Sequence, residues 1–347
     1  MPEAIPAPRP RAIARWLLVI AAFIFLMVVI GGITRLTESG LSMVKWEPIA
    51  GTIPPLNDQQ WQAEFDGYKA TPEYRKINRG MSLGEFKQIF FWEYLHRLIG
   101  RSIGMIFALP LAWFAWKRAI PKGYGWRLTG IFALGGLQGA IGWWMVASGL
   151  VDRPDVSHLR LATHLLTALF LFAVTIWTAL DLFALARNPR SRPARLTRLT
   201  AAALIILAVQ IMLGAFVAGL DAGYAFASWP KMGDEWFPTG GWNAAWGVIA
   251  NLRDNPIVVQ FIHRWFAWVA VIAALLTARG AKAAGATGPV HAIATLIILQ
   301  IMLGIATLMT GVAIPIAAAH QAVAALLLAA MVTAAHRIGS TKNIGVL

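Results

Sequence analysis

Four of the seven histidines in this 347-residue chain lie early in long apolar segments. They are His96, His164, His263 and His320. A neutral imidazole is a common ligand for transition metals. The chain has no cysteine, which excludes disulfides, thiolate-bound zinc and iron–sulfur clusters. These four histidines are therefore the candidate metal ligands.

The histidines belong to a repeat that divides the chain into two halves with the same parts in the same order. A His-Arg pair occurs in EYLHRLIGR and again in QFIHRWFAW, and LQGAIG in the first half matches LQIMLG in the second. A Q-x-x-x-G pattern occurs in LQGAIG, VQIMLG and LQIMLG. We interpret this pattern as helix packing, in which glycine allows a close approach and glutamine bonds to the next helix.

The composition is that of an integral membrane protein, with 58% hydrophobic residues, 13% charged residues and a mean hydropathy of +0.62. In such a protein the net charge of +14 is explained by basic residues on the cytoplasmic side, so nucleic acid is not a predicted partner. A bilayer core needs roughly 20 apolar residues per helix. We predict an all-α fold with eight membrane-spanning helices. The predicted spans are about residues 16–34, 90–116, 126–148, 159–182, 199–220, 257–278, 290–311 and 317–336.

Lysine and arginine are concentrated in the N-terminal tail and in alternate connections, which are therefore expected to face the cytoplasm. The fourth connection is the most basic. Its arginines are Arg187, Arg190, Arg192, Arg195 and Arg198. Both termini are predicted to be cytoplasmic, and the four histidines then lie toward the periplasmic side of a bacterial inner membrane.

The repeat and the charges together define the predicted domains. They are a cytoplasmic tail (1–15), an N-terminal four-helix bundle (16–182) with a long extracytoplasmic loop (36–88), a basic cytoplasmic linker (183–198), a C-terminal four-helix bundle (199–336) and a cytoplasmic tail (337–347). The two bundles are expected to form a parallel repeat. The long loop has helix-like stretches and could cover the N-terminal site.

Each predicted bundle supplies two of the candidate histidines. Zinc and copper sites normally need three or four close ligands. A haem iron needs two axial ligands, which imidazoles on facing helices of a bundle can supply. The sequence therefore predicts one haem in each half, held by His96 and His164 in the first and by His263 and His320 in the second.

The first histidine of each half is followed directly by an arginine, Arg97 or Arg264. A guanidinium group at this place can hold a haem propionate. The alternative is that both side chains extend to lipid headgroups. His158, His291 and His336 have no partner in the repeat. We interpret them as structural, although His158 lies on the same side of the membrane as the candidate ligands.

The halves differ one turn before the first histidine, where Glu93 corresponds to Gln260. On a helix this residue lies on the same face as the histidine. A carboxylate there can move protons or stabilise positive charge on a reacting carbon, and glutamine does neither at the same strength. We therefore predict a reactive haem site in the first half and an electron-carrying site in the second. The alternative is that Glu93 only pairs with Arg97, four residues on.

Five stretches of the sequence resemble the haem A synthase family, in particular its alphaproteobacterial and mitochondrial branch. They are TRLTESGLSMVKWEP, EFKQIFFWEYLHRLIGR, ATHL, QFIHRW and AAHQ, in the order of the family. The resemblance covers residues 16–337. It implies two four-helix bundles and an oxidoreductase that converts the C8 methyl group of haem O to the formyl group of haem A, for terminal oxidase assembly.

The resemblance also implies roles for the candidate residues. His96 and His164 would flank the substrate haem O, and Glu93 would transfer protons or stabilise a cationic intermediate at the methyl carbon. His263 and His320 would ligate a haem b cofactor. Some bacterial relatives have a cysteine pair in their outer loops. This chain has none, which excludes a disulfide-based mechanism.

Two other classes of protein share some of these features. A dihaem electron-transfer protein linked to quinol would hold permanent haem b in both halves. A transporter or assembly factor without haem would use the histidines for protons or metal ions, and it leaves their matched positions unexplained. The partners expected for the synthase are membrane lipid, haem O synthase and an electron-transfer partner. The sequence leaves a homo-oligomer open.

Overall fold

The fold is built almost entirely from α-helices. A computed structural model of the chain describes residues 8–45, 50–150 and 154–341. Within these ranges there is no β-strand, and an isolated β-bridge joins Met232 and Glu235. In chain order the helices are α1 (Pro10–Leu36), α2 (Asp58–Lys69), α3 (Pro72–Lys76), α4 (Leu83–Trp116), α5 (Gly125–Val146), α6 (His158–Arg187), α7 (Arg198–Gly219), α8 (Val248–Asp254), α9 (Pro256–Ala283), α10 (Thr287–Met309) and α11 (Ile314–Thr341). The predicted all-α class is confirmed.

Seven of the described helices are long and apolar enough to cross a membrane. They are α1, α4, α6, α7, α9, α10 and α11. Each overlaps a predicted span, and the chain is a multi-pass membrane protein. Helix α5 overlaps the remaining predicted span and has 22 residues, but it contains six glycines, three tryptophans and Arg127. This composition makes α5 less apolar than the seven, so the eighth span stays a prediction.

Side-chain caps fix where two of the histidine-bearing helices begin. At the start of α4, the Ser82 side chain accepts a hydrogen bond from the backbone N–H of Glu85, and the Glu85 side chain accepts one from the N–H of Ser82. This capping box satisfies two backbone donors that the helix leaves free. At the start of α9, the Asn255 side chain accepts from the N–H of Ile257. Both helices are therefore held in register with the loops before them.

The long helices pack in two groups that follow the sequence repeat. In the first group α1 packs against α4 and α6, and α5 packs against α6 and less extensively against α4. In the second group α7 packs against α9, and α10 packs against α9 and α11. The groups meet where α1 contacts α11, where α6 contacts α7, and where α6 contacts α11. One apolar core joins them, with Leu17, Leu182 and Met331 fully buried in it.

The two groups differ in how their histidine-bearing helices meet. Helix α9 packs directly against α11. The corresponding helices α4 and α6 have no comparable direct contact and are joined through α1 and α5. The first group is therefore more open between the helices that carry its histidines.

The segment between α1 and α4 folds over the beginning of α4. Helices α2 and α3 lie in this segment and begin at the capping residues Asn57 and Thr71. The rings of Phe65 and Tyr68 pack on that of Phe86 of α4, with centroids 5.0 and 5.3 Å away. Aromatic contacts of this kind stabilise a small core beyond the area they bury. The Trp-Glu-Pro end of the first family motif lies outside the described residues, as do parts of both predicted terminal tails.

Candidate functional site

The four candidate histidines come together in two pairs. His96 on α4 lies close enough to His164 on α6 for the two rings to interact electrostatically, and His263 on α9 stands in the same relation to His320 on α11. Each of the four residues is half-buried. These are the pairs that the repeat predicts.

A glycine on a neighbouring helix faces each of the four imidazoles. The glycines opposite His96, His164, His263 and His320 are Gly31, Gly142, Gly214 and Gly304, respectively. A β-carbon added at these positions would lie 2.9 to 3.1 Å from an imidazole atom. Any larger residue would push the ring aside or separate the helices. The glycines therefore make room for the candidate ligands.

A glutamine one turn before the glycine holds three of the four histidines. Gln138 Nε2 lies 3.1 Å from Nδ1 of His164 and donates to its backbone carbonyl at 2.8 Å. Gln210 makes the same two contacts with His263, both at 3.1 Å. Gln300 Nε2 lies 3.4 Å from Nε2 of His320. Gln138 and Gln210 thus hold both the ring and the backbone of a candidate ligand. Gln300 contacts the ring of His320.

These glutamines are the site residues that the sequence interpretation missed. The Q-x-x-x-G pattern predicts helix packing, and the hydrogen bonds do cross between helices as expected. The pattern alone does not identify histidine as the partner. The position of the glutamines in the repeat could have identified this partner. Each glutamine lies one turn before a glycine, in a helix next to one that carries a histidine.

Each histidine pair fits a metal ion whose other ligands come from a cofactor and not from the protein. No group of three or more His, Cys, Asp and Glu side chains within the described ranges could hold a metal ion. Two imidazoles without further protein ligands suit an iron whose four other ligands come from a porphyrin. The pairs therefore match the axial ligands of a haem better than a zinc or copper site.

Buried amide oxygens give further support for a metal-bound state of the histidines. Oε1 of Gln138, of Gln210 and of Gln300 is buried without a hydrogen-bond partner in the part of the chain that the structure describes. When Nε2 of a histidine binds a metal, Nδ1 carries the proton and needs an acceptor. Gln138 and Gln210 contact Nδ1, and each of these carboxamides carries such an acceptor on the same group. Gln300 contacts Nε2 of His320 instead.

Glu93 is buried, and its carboxylate is held by three donors. Oε2 accepts hydrogen bonds of 2.7 Å from the Ser42 hydroxyl and from the backbone N–H of Met43. Oε1 forms an ion pair with Arg97. The pairing given as the alternative role of Glu93 therefore does form, and the carboxylate also anchors the segment that follows α1. These contacts fix the carboxylate one turn before His96.

Arg97 and Arg264 make equivalent contacts in the two halves. Arg97 donates to the backbone carbonyls of Met43 and Lys45 at 2.8 and 3.0 Å. Arg264 donates to the carbonyl of Ser228 at 2.8 Å, and it is almost fully buried. Both side chains point toward the loop that follows the first long helix of their half. Each arginine thus fastens a loop to a histidine-bearing helix.

Gln260 takes the place of Glu93 but has the opposite hydrogen-bonding role. Its amide nitrogen donates to the carbonyl of Phe226 at 3.2 Å. Its amide oxygen is buried and has no partner among the described residues. The first half offers a hydroxyl and an N–H to this position, whereas the second half offers a carbonyl. The difference between Glu and Gln therefore matches the loops, and the chemical asymmetry of the two sites stays a prediction.

The three remaining histidines have other surroundings. Nε2 of His158 lies 3.1 Å from the carboxylate of Asp254, at the end of α8. Nε2 of His336 lies 2.9 Å from that of Asp181 on α6. His291 is exposed near the beginning of α10. None of these contacts includes a member of the two histidine pairs.

The whole chain is similar to bacterial proteins of one kind. A heme A synthase of Rhizorhabdus wittichii is 64% identical over 341 residues, which are 98% of this chain and 97% of the relative. A heme A synthase of Sphingopyxis alaskensis is 53% identical, over 97% of this chain and 95% of the relative. One of Novosphingobium aromaticivorans is 46% identical, over 98% of this chain and 100% of the relative.

A family model also matches the chain. It is the COX15-CtaA model, described as cytochrome oxidase assembly protein, and it matches residues 14–332. This range contains both histidine pairs, the three glutamines and both arginines, and the family resemblance of the sequence motifs is confirmed. The chain belongs to the COX15-CtaA family of cytochrome oxidase assembly proteins.

Proposed function

We propose that this protein oxidises the C8 methyl group of haem O to the formyl group of haem A. The observation that carries the proposal is the inequality of two otherwise matched sites. Both halves pair two imidazoles, yet only the first has a carboxylate one turn before a histidine, at Glu93. Relatives that are 46 to 64% identical over nearly the whole chain are named heme A synthase.

The first half is assigned to the substrate and the second to a resident cofactor. His96 and His164 would bind haem O, and His263 and His320 would bind haem b, which supplies electron transfer. The weaker contact between α4 and α6 supports this assignment, since a substrate must enter and leave. The direct packing of α9 on α11 suits a group that stays bound.

The oxidation removes four electrons and four protons from the methyl group and one water, and the electron-transfer partner would accept the electrons. Two successive hydroxylations give a geminal diol, and the diol loses water to leave the formyl group. In this scheme Glu93 receives protons or stabilises positive charge at the methyl carbon. Ser42, Met43 and Arg97 hold its carboxylate in place, so it need not be reoriented during the reaction.

The membrane arrangement follows from the same proposal. Helix α5 packs against α4 and α6 and would be the eighth span. With eight spans both termini would lie on the same side as the basic linker. The basic linker between α6 and α7 then faces the cytoplasm, and both sites lie toward the periplasmic side of the inner membrane. Haem O synthase would deliver the substrate, and a separate electron-transfer partner would exchange electrons with the protein.

Extraction and mass identification of the haems in the purified protein, expressed with and without a haem O synthase, test this function. We expect haem b alone without the synthase, and haem b together with haem O, a hydroxylated intermediate or haem A with it. Two haem b per chain under both conditions would instead indicate a dihaem electron-transfer protein. The similar construction of the two histidine pairs is the observation that favours this second function. Absence of haem under both conditions would exclude both functions.

A further inference from the structure

The four histidines are not held alike, because one of them lacks the glutamine. In α1 the residue four positions before Gly31 is Met27, where the three other helices have glutamine four positions before their glycine. Met27 packs against α4, since a β-carbon at Gly100 would lie 3.1 Å from its terminal methyl. Met27 therefore occupies the place from which a glutamine would reach the first histidine of this half.

A thioether cannot replace a carboxamide in this place. Methionine has no donor and is only a weak acceptor, whereas a carboxamide offers both. No hydrogen bond among the described residues involves the imidazole of His96. A metal-bound histidine whose other ring nitrogen has no acceptor is less basic and less firmly oriented. Of the four candidate ligands, His96 is thus the one with the weakest support.

We propose that His96 is the exchangeable ligand of the substrate site and that Met27 makes it so, while Gln138 keeps His164 in place. This inference rests on the proposed function. A six-coordinate iron has no open position, so one ligand must leave before a small molecule can bind. Release of His96 would open the face of the substrate that lies on the side of Glu93. Met27 and the three glutamines are positioning residues in this scheme.

Carbon monoxide binding to the reduced full-length protein tests the proposal. Carbon monoxide binds the iron only when a ligand has left, so its affinity measures ligand exchange without turnover. The protein is expressed with a haem O synthase, and each adduct is assigned by extracting the haems. Wild-type protein should bind carbon monoxide at the substrate haem and not at haem b. Met27→Gln should lower this affinity about fivefold, the effect of one added hydrogen bond, while the haem content is unchanged.

Met27→Leu is the matched control, since it keeps an apolar side chain of similar size and adds no amide. It should bind carbon monoxide as the wild type does. Equal affinities in Met27→Gln and Met27→Leu would overturn the proposal, as would a substrate haem in wild-type protein that does not bind carbon monoxide.

The second half provides a test that does not depend on haem O. Without the synthase, Gln210→Met should make haem b reactive toward carbon monoxide, because His263 then loses the support that His96 lacks. Gln300→Met tests the opposite ligand, His320, if the first variant folds poorly. Haem b that stays unreactive in both variants contradicts the role of the glutamines. Two haem b per chain in the presence of the synthase would instead contradict the proposed function.

Discussion

At the scale of single residues, Glu93 distinguishes the two sites. Its carboxylate accepts from Ser42 and Met43 and pairs with Arg97, so a glutamine in its place keeps the shape but loses the charge. We expect Glu93→Gln to retain haem b and to lower haem A formation by roughly 100-fold, a typical contribution of general acid–base catalysis. Extracted haems, quantified by mass, measure both effects.

Glu85→Gln is the matched control for this prediction. It removes an exposed carboxylate at the first turn of the same helix, where Glu85 takes part in the capping box. A normal haem A yield in Glu93→Gln would show that the carboxylate is only an anchor for the segment after α1. A similar loss in both variants would trace the effect to helix α4 as a whole.

The sequence predicted the histidines of the site but not the side chains that hold them. His96, His164, His263 and His320 stand out because a costly residue recurs at matched places in apolar sequence. The contacts of Gln138 and Gln210 depend on how each helix is rotated about its axis, and a repeat in the sequence does not define that rotation. The same holds for Glu93, whose spacing alone allowed both a site-facing carboxylate and a pair with Arg97.

At the scale of helices, glycine sets how closely α10 approaches α11. A β-carbon at Gly304 would lie 2.9 Å from Cε1 of His320, whereas one at Gly288 on the same helix meets no atom within 4 Å. Gly304→Ala should therefore displace the imidazole and reduce the haem b bound per chain. Gly288→Ala should bind haem b normally, since alanine favours the helix. The ratio of haem b to protein in purified samples measures this, and equal ratios would contradict the expectation.

The segment that contains α2 and α3 should respond to pH through Glu73. Burial raises the pKa of Glu73 from its usual 4.5 to about 8. The folded segment therefore favours the protonated acid, and this stability is fully present below about pH 4.5 and lost as the pH rises through about 8. Hydrogen exchange of α2 and α3 between pH 5 and 8, corrected for the intrinsic rate, should show protection that falls with pH.

Glu73→Gln isolates this effect, because it keeps the shape of the side chain and removes the titration. Its protection should vary less with pH than that of the wild type. If both proteins lose protection equally, another group in the segment is responsible. Glu38 is one such group, since burial also raises its pKa.

At the scale of the whole molecule, a polar cluster joins the two halves. Asp181 on α6 accepts from Arg127 on α5 at 2.7 Å and lies 2.9 Å from His336 on α11. It also accepts from the backbone N–H of Ala194 at 2.9 Å, in the linker between the halves. One buried carboxylate thus contacts both groups of helices and the segment that connects them.

Asp181→Asn should destabilise the folded protein by about 1 to 3 kcal/mol, because it weakens hydrogen bonds to a charged group while Arg127 keeps partial access to solvent. A lower melting temperature in detergent measures this. Asp66→Asn is a suitable control, because Asp66 is exposed on α2 and pairs with its neighbours Gln62 and Lys69. An unchanged melting temperature in Asp181→Asn would show that the cluster does not stabilise the contact between the halves.

Much of the overall architecture was predictable from the sequence. Seven of the eight predicted spans correspond to helices apolar enough to cross a membrane, because long apolar runs are a strong signal. Helix α5 is less apolar because of its glycine and tryptophan residues, so its span has a weaker signal in the sequence. The sequence could not show that α4 and α6 pack less closely than α9 and α11. Such differences arise from side-chain packing across several helices and have no signature in one segment.

The contacts between the halves have a consequence for the origin of the chain. In the repeat, α7 is the counterpart of α1 and α11 is the counterpart of α6. The contact of α1 with α11 is therefore equivalent to the contact of α7 with α6, and α6 and α11 also contact each other. This is the contact pattern of an isologous dimer with twofold symmetry. An ancestor with four helices could therefore have formed a homodimer with two identical sites. Fusion of two copies into one chain would have freed each site to change alone, as Met27 and Glu93 show in the first half and Gln210 and Gln260 in the second.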